Sequence, residues 1–141
     1  IILATAGLKR LGLAHRISEA IDTGTSLPSA GQGAVGIECR SDASDVKALL
    51  VAINHADTQF RVTCERMISA GLGASCSLPI AAFATLDGDQ ISLSSYVGDI
   101  DGKTPLRVNR TGPRAGGIEM ARQMTAELIA GGALALIQPQ G

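Results

Sequence analysis

The feature that most constrains the fold is a change of hydrophobic period at Leu78. In the segment just before it, apolar residues recur every three to four positions; from Leu78 they alternate, through "LPIAAFATL", "QISLSSYV" and "KTPLRVNRT". Alternation sends successive side chains to opposite faces of a pleated ribbon, whereas the longer period lines them along one stripe of a helix. The alternating runs are separated by "DGD" and "GDIDG", and Asp-Gly turns between short strands make an antiparallel meander. Helices stand on either side. In "DTQFRVTCERMISAGLG" Asp57 is a capping residue, Phe60, Cys64, Met67 and Ile68 share a stripe, and Gly71 and Gly73 stop the helix. "GGIEMARQMTAELIAGG" presents Ile118, Ala121, Met124, Leu128 and Ile129 to one side and closes at Gly131 and Gly132. Residues 55–141 therefore read as an α+β domain, a three-stranded antiparallel sheet with helices on one face.

The preceding residues carry shorter signals. "IILATAGLKRLGL" has helical spacing and a stop near Gly12, while "DTGTSLPSAGQG", residues 22–33, is a turn-rich connection in which Pro28 biases Leu27 towards an extended backbone. "AVGIECR", residues 34–40, alternates Val35, Ile37 and Cys39 and predicts a short strand. In "SDASDVKALLVAINH" a stripe of Val46, Leu49, Leu50 and Ile53 predicts a helix capped by Ser41 or Ser44. The chain has no initiator Met and opens inside a helical pattern, so the expectation is the C-terminal part of something longer.

Composition removes several classes of function. With 45% hydrophobic and 18% charged residues in 141, the chain is globular; with 2% aromatics and a net charge of -1, it offers neither stacking platforms nor a basic surface for nucleic acid. Lys9 and Arg10 interrupt the longest apolar run too early for a membrane span or a signal peptide. Cys39, Cys64 and Cys76 form no CxxC pair and have no histidine at ligand spacing, so no metal site is expected and a reducing cytoplasm fits best. Cys39 and Cys64 fall on apolar faces and read as core residues. His15 and His55 read as solvated or helix-end residues, and Arg107, Arg110 and Arg114 as solvent-facing charges.

Two places invite chemistry. Gly31-Gln32-Gly33 precedes a strand pattern, the wrong order for a dinucleotide loop; its glycines allow a sharp turn or let backbone N–H groups approach an anion. Cys76, in "LGASCSLPIAAFATLDG", follows a helix C-terminus and precedes a strand. A lone turn cysteine is by default an ordinary half-buried residue, but a rigid frame on both sides suits a covalent attachment point. The negative end of the helix dipole does not lower a thiol's pKa, which favours a lasting linkage over a fast-cycling thiolate.

"AGLKRLGL", "LPSAGQGAVGIECR", "NHADTQFRVTCERM" and "LGASCSLPIAAFATLDG" together, in this order and spacing, resemble the C-terminal half of the porphobilinogen deaminase (hydroxymethylbilane synthase) family. The resemblance covers essentially the whole chain. It implies that residues 1–33 are the end of a second domain, residues 34–54 a segment returning to a first, and residues 55–141 a complete third domain. The first two are α/β domains of periplasmic-binding-protein type, with the cleft between them and an interdomain hinge at Gly33-Ala34. It further implies a transferase that joins four porphobilinogen molecules, with loss of ammonia, into hydroxymethylbilane for tetrapyrrole and haem synthesis. The primer is a dipyrromethane held by a thioether on the cysteine matching Cys76. Losing ammonia from an aminomethylpyrrole leaves an electrophile that a soft sulfur captures in a stable bond, and tethering makes later additions effectively intramolecular.

By the same resemblance Arg10 contacts the carboxylates of the pyrrole chain, and Gln32 and Gly33 line the cleft. The family's catalytic aspartate lies upstream of the region matched here, so these 141 residues alone are expected to be inactive. The parent is expected to be a cytoplasmic monomer, with self-association open to the shorter chain, whose residues 1–54 are expected to be rearranged, mobile or packed on another copy. Two other readings compete: a non-catalytic interaction module with a simple reduced thiol at Cys76, and redox or metal binding through three converging cysteines.

Overall fold

A computed structural model of the chain describes residues 1–73, 75, 77–99 and 105–137. The alternating segment forms three strands, β1 (Ile80–Asp87), β2 (Gln90–Val97) and β3 (Leu106–Pro113), paired antiparallel in the order β1-β2-β3. Asp87 pairs with Gln90, leaving Gly88-Asp89 as a two-residue loop. Gly88 has φ 54°, while no described non-glycine residue has positive φ, so the loop has the glycine-first pattern of a type II′ turn. The second connection, read as "GDIDG", lies partly outside the described residues.

Period two determines what each face of the sheet meets. Ile91, Leu93, Ser95 and Val97 of β2 are buried, and their neighbours across the ladder are Leu86, Ala84, Ala82 and Ile80 on β1. Against this face lie α3 (Ala56–Gly71) and α4 (Gly117–Ala130), through Cys64, Ile68, Ala121, Met124 and Leu128. Ser95, the one hydroxyl in this core, donates to the Val108 carbonyl at 3.1 Å. The α+β expectation, with helices on one face of a three-stranded sheet, is therefore met.

Both helix stops are glycines. Gly73 and Gly132 take φ 68° and 93°, and their N–H groups close the last turns on Ala70 and Ile129. Beyond Gly132 the chain re-enters helix as α5 (Ala133–Ile137), which sends Ala133 and Ile137 into the core. Ile129 departs from the expected stripe and stands 40% exposed. His55, not Asp57, is the N-cap of α3: its Nδ1 accepts from the Thr58 N–H at 3.2 Å. Asp57 instead pairs with Arg114 at 2.6 Å.

The first 54 residues are built differently. They contain α1 (Thr5–Arg10), a single 3-10 turn at Ala14–Arg16, and α2 (Ser44–Val51). Residues 34–40 are not in a strand; Val35, Ile37 and Cys39 are exposed. Alternation specifies two faces but supplies no partner for the ladder's N–H and C=O groups, and β1–β3 is the only sheet among the described residues. Cys39 therefore stands outside the core, contrary to the expectation, while Cys64 is wholly buried. Neither Ser41 nor Ser44 caps α2: its N-cap is Ala43, which has no side-chain acceptor, and Ser44 is already helical. No helix among the described residues is long and apolar enough to cross a membrane.

Candidate functional site

Arg10 owes its place to the way α1 ends. Leu13 N–H bonds the Leu8 carbonyl at 2.9 Å and Gly12 N–H bonds that of Lys9 at 3.1 Å. This double closure is a Schellman motif, with Gly12 at φ 73° in the left-handed position that glycine takes without strain. The motif leaves Arg10 exposed in the last turn, with no ion pair among the described residues. An exposed arginine–carboxylate pair shows the alternative: Arg40 and Asp42 meet at 2.7 Å, and their contact raises the arginine's pKa and lowers the aspartate's.

Gln32 and Gly33 sit in a turn. Gln32 N–H donates to the Ser29 carbonyl and Ala34 N–H to that of Gly31, both at 3.0 Å. Gly31 and Gly33 have φ 76° and 80°. A side chain at Gly33 would meet nothing within 4 Å, whereas one at Gly31 would touch Val62 Cγ1 at 3.5 Å. The turn is thus open on the Gly33 side and seated on α3 on the Gly31 side.

That seat contains the feature the stripe of Phe60, Cys64, Met67 and Ile68 did not reveal. Glu65 is only 5% exposed, and its carboxylate is divided between two backbone donors. Oε2 accepts from Gly31 N–H at 2.7 Å and Oε1 from Ala84 N–H at 2.8 Å. Arg61, one turn earlier, donates to the Ala84 carbonyl at 3.3 Å. α3 thereby satisfies both backbone groups of Ala84 on the outer edge of β1, which would otherwise be open to pairing with another strand. An anion does approach the glycine turn's N–H, and it belongs to the protein. Helical spacing places Glu65 on one side of the helix with Arg61 and Ile68, but that pattern names no partner for its carboxylate.

Cys76 lies outside the described residues, as does Ala74. Of their neighbours, Ser75 and Ser77 place their hydroxyls 2.9 Å apart, and Leu78 N–H donates to the Ser75 carbonyl at 3.1 Å. The chain then enters β1 through Pro79, whose carbonyl accepts from Gly98 N–H at 2.8 Å. The structure brings the Gly31–Gly33 turn to α3, and α1 packs chiefly on the 3-10 turn that follows it.

The three arginines that follow β2 are engaged. Arg110 pairs with Glu127 at 2.7 Å, Arg114 reaches Asp57 and lies over the Phe60 ring, and Arg107 lies over the Tyr96 ring. Arg107 and Arg110 face solvent as expected and Arg114 is half-buried, but each has a partner that charge patterning along one element does not reveal. Cys64 is buried in the core beside Glu65, and burial, then that neighbouring charge, push its thiol pKa up. With Cys39 exposed and Cys64 wholly buried, these two cysteines do not converge. No group of three or more His, Cys, Asp or Glu able to hold a metal occurs among the described residues.

A free guanidinium and an open two-glycine turn fit a ligand that carries carboxylates, the first by charge and the second by close backbone approach. Two family models match the chain. One, described as "Porphobilinogen deaminase, dipyromethane cofactor binding domain", covers residues 1–48; the other, the porphobilinogen deaminase C-terminal domain, covers residues 59–129, half of the chain. The matches define a class first: a cofactor-binding segment followed by the closing domain of a transferase of tetrapyrrole synthesis. The chain belongs to the porphobilinogen deaminase family, whose cofactor is dipyrromethane.

Proposed function

We propose that this chain is the cofactor-carrying, C-terminal part of a hydroxymethylbilane synthase, which condenses four porphobilinogen molecules into a linear tetrapyrrole with release of ammonia. The observation that supports this reading is the succession of both family matches along one chain, over an α+β body of the kind the second match requires. The domain limits follow: residues 1–33 close a second domain, residues 34–54 return to a first, and residues 55–141 form the third.

Each residue has a distinct part. Cys76 supplies the sulfur that holds the dipyrromethane, and α3 and β1 frame the segment containing it. When bound, the cofactor supplies a tethered primer, so that each new ring joins a chain already held in place. Arg10 binds ligand carboxylates through its guanidinium, and with no carboxylate partner among the described residues that fork is available. Gln32 and Gly33 line the ligand side of the hinge turn, where the bare Cα of Gly33 permits close approach. The family's proton-transferring aspartate belongs to the upstream part, so residues 1–141 hold the primer without condensing rings, in a reducing cytoplasm that keeps the thiol free.

Turnover tests this division of labour. A full-length family enzyme ending in these residues is expected to release ammonia from porphobilinogen, the 141-residue chain to release none, and Cys76→Ser in the full-length protein to lose essentially all activity. Undiminished activity in Cys76→Ser would overturn the proposal.

A further inference from the structure

We infer that Glu65 is a positioning residue: its buried carboxylate fixes the Gly31–Gly33 turn to the third-domain body and so sets where Gln32 and Gly33 stand. The inference rests on the reading in which those two residues line the ligand cleft.

A carboxylate is costly to bury, and one that is buried needs its oxygens engaged. α3 already packs through apolar side chains, so nothing in that packing requires an acid at position 65. The two bonds it makes define a different task. Oε1 holds Ala84 N–H, on the outer edge of β1, and Oε2 holds Gly31 N–H, on a turn 34 residues before Glu65. The same side chain therefore measures the turn against the sheet edge, at 2.7 and 2.8 Å on its two oxygens. Arg61, from the same side of α3, fixes the other backbone group of Ala84, so the anchor end is held twice.

The turn end is shaped to receive the bond. Gly31 has φ 76°, a conformation that other residues adopt under strain, and Val62 lies 3.5 Å from where its Cβ would be. Ala30 packs on the body's core, which seats the turn from the other side of the bond. One residue further, Gln32 is free of this contact, and Gly33 opens to empty space. The clamp thus grips the turn immediately before the two residues that face ligand. Asp at position 65 is one methylene too short to span both donors, and Gln has a single acceptor oxygen for two N–H groups.

Amide hydrogen exchange on the 141-residue chain tests the clamp without any ligand. In Glu65→Ala the Gly31 amide is expected to lose on the order of tenfold in protection beyond any loss shared by the β2 amides, the effect of losing a charge-assisted bond. Arg61→Leu, which loosens only the anchor end, is expected to leave Gly31 within about threefold of the parent. Unchanged Gly31 exchange in Glu65→Ala would overturn the inference. Should that variant not fold, the unsubstituted chain decides: a Gly31 amide exchanging at the free-peptide rate overturns it, and slow exchange that quickens in Glu65→Gln supports it. In the full-length enzyme, Glu65→Gln is expected to keep the adduct on Cys76 while KM for porphobilinogen rises several-fold. A full adduct with unchanged kcat and KM would remove the positioning role, whereas absence of any adduct in the unsubstituted enzyme would remove the cofactor reading and leave the exchange result standing.

Discussion

Ile37 and Ile68 are the same side chain, each on the apolar face that its own pattern defines, yet Ile37 is 57% exposed and Ile68 is wholly buried. The contrast extends to the regions around them. Every buried side chain among the described residues lies between Cys64 and Ile137, while twelve of the fourteen exposed large apolar side chains fall in residues 1–53, so the two regions use hydrophobicity in opposite ways. In the later region each amphipathic element faces another: α3 and α4 meet the same side of the sheet, and α5 closes beside them. In the earlier one α2 has no buried residue, and the alternating segment after Gly33 has no strand beside it. A hydrophobic pattern decides which face an element would bury; only a facing surface turns that choice into stability.

The largest expected effect separates the regions directly. Ile68→Ala removes fully buried methyl groups and is expected to cost about 2–5 kcal/mol, read from urea or thermal unfolding. Leu49→Ala, at a side chain 74% exposed, is expected to stay within about 0.5 kcal/mol. Equal costs at the two sites would break the comparison.

Within the later region a glycine sharpens it. A Cβ at Gly117 would stand 3.0 Å from Phe60 Cζ and 3.2 Å from Ile91 Cδ1, both part of the packed interior. Gly117→Ala is expected to cost about 1–3 kcal/mol through overpacking. At Gly112 the corresponding atom meets only the flexible end of Met120, at 2.7 Å, so Gly112→Ala is expected to cost less. Unfolding midpoints of the two variants give the ranking, and the reverse order would contradict this packing account.

The cysteines give the smallest effect and the simplest readout. Cys39 is expected to react with a thiol reagent at once and Cys64 only as the chain unfolds. Since the folded chain raises the Cys64 pKa, the unfolded state loses that proton first as pH rises. Its contribution is therefore present at neutral pH and falls away above about pH 8.5, through the elevated folded value. Cys64→Ala is expected to flatten this alkaline decline, and an identical decline in the variant would remove Cys64 as its source.

The same contrast explains what the sequence made legible. The stripes of α3 and α4, their glycine stops and the three-stranded meander were readable because neighbouring residues define them and the packing agrees. The strand expected at 34–40 was not realised, because alternation along one segment says nothing about a partner. Its failure carried Cys39 out of the core with it. His55 as a cap was missed in favour of Asp57, two positions away and a commoner cap type, and the short α5 carried no stop-and-start signal beyond Gly132. Among the site residues, the turn at Gly31–Gly33 was legible from its glycines. The carboxylate that holds it was not, because its two backbone partners lie 34 and 19 residues away.

The measurement that bears most directly on the account is the intact mass of the full-length protein, made in a porphyrin-synthesising host, followed by peptide mapping. The expected result is a two-pyrrole adduct on the peptide containing Cys76 and on no peptide containing Cys39 or Cys64. A folded protein whose Cys76 is unmodified, and remains so after incubation with porphobilinogen, would contradict it.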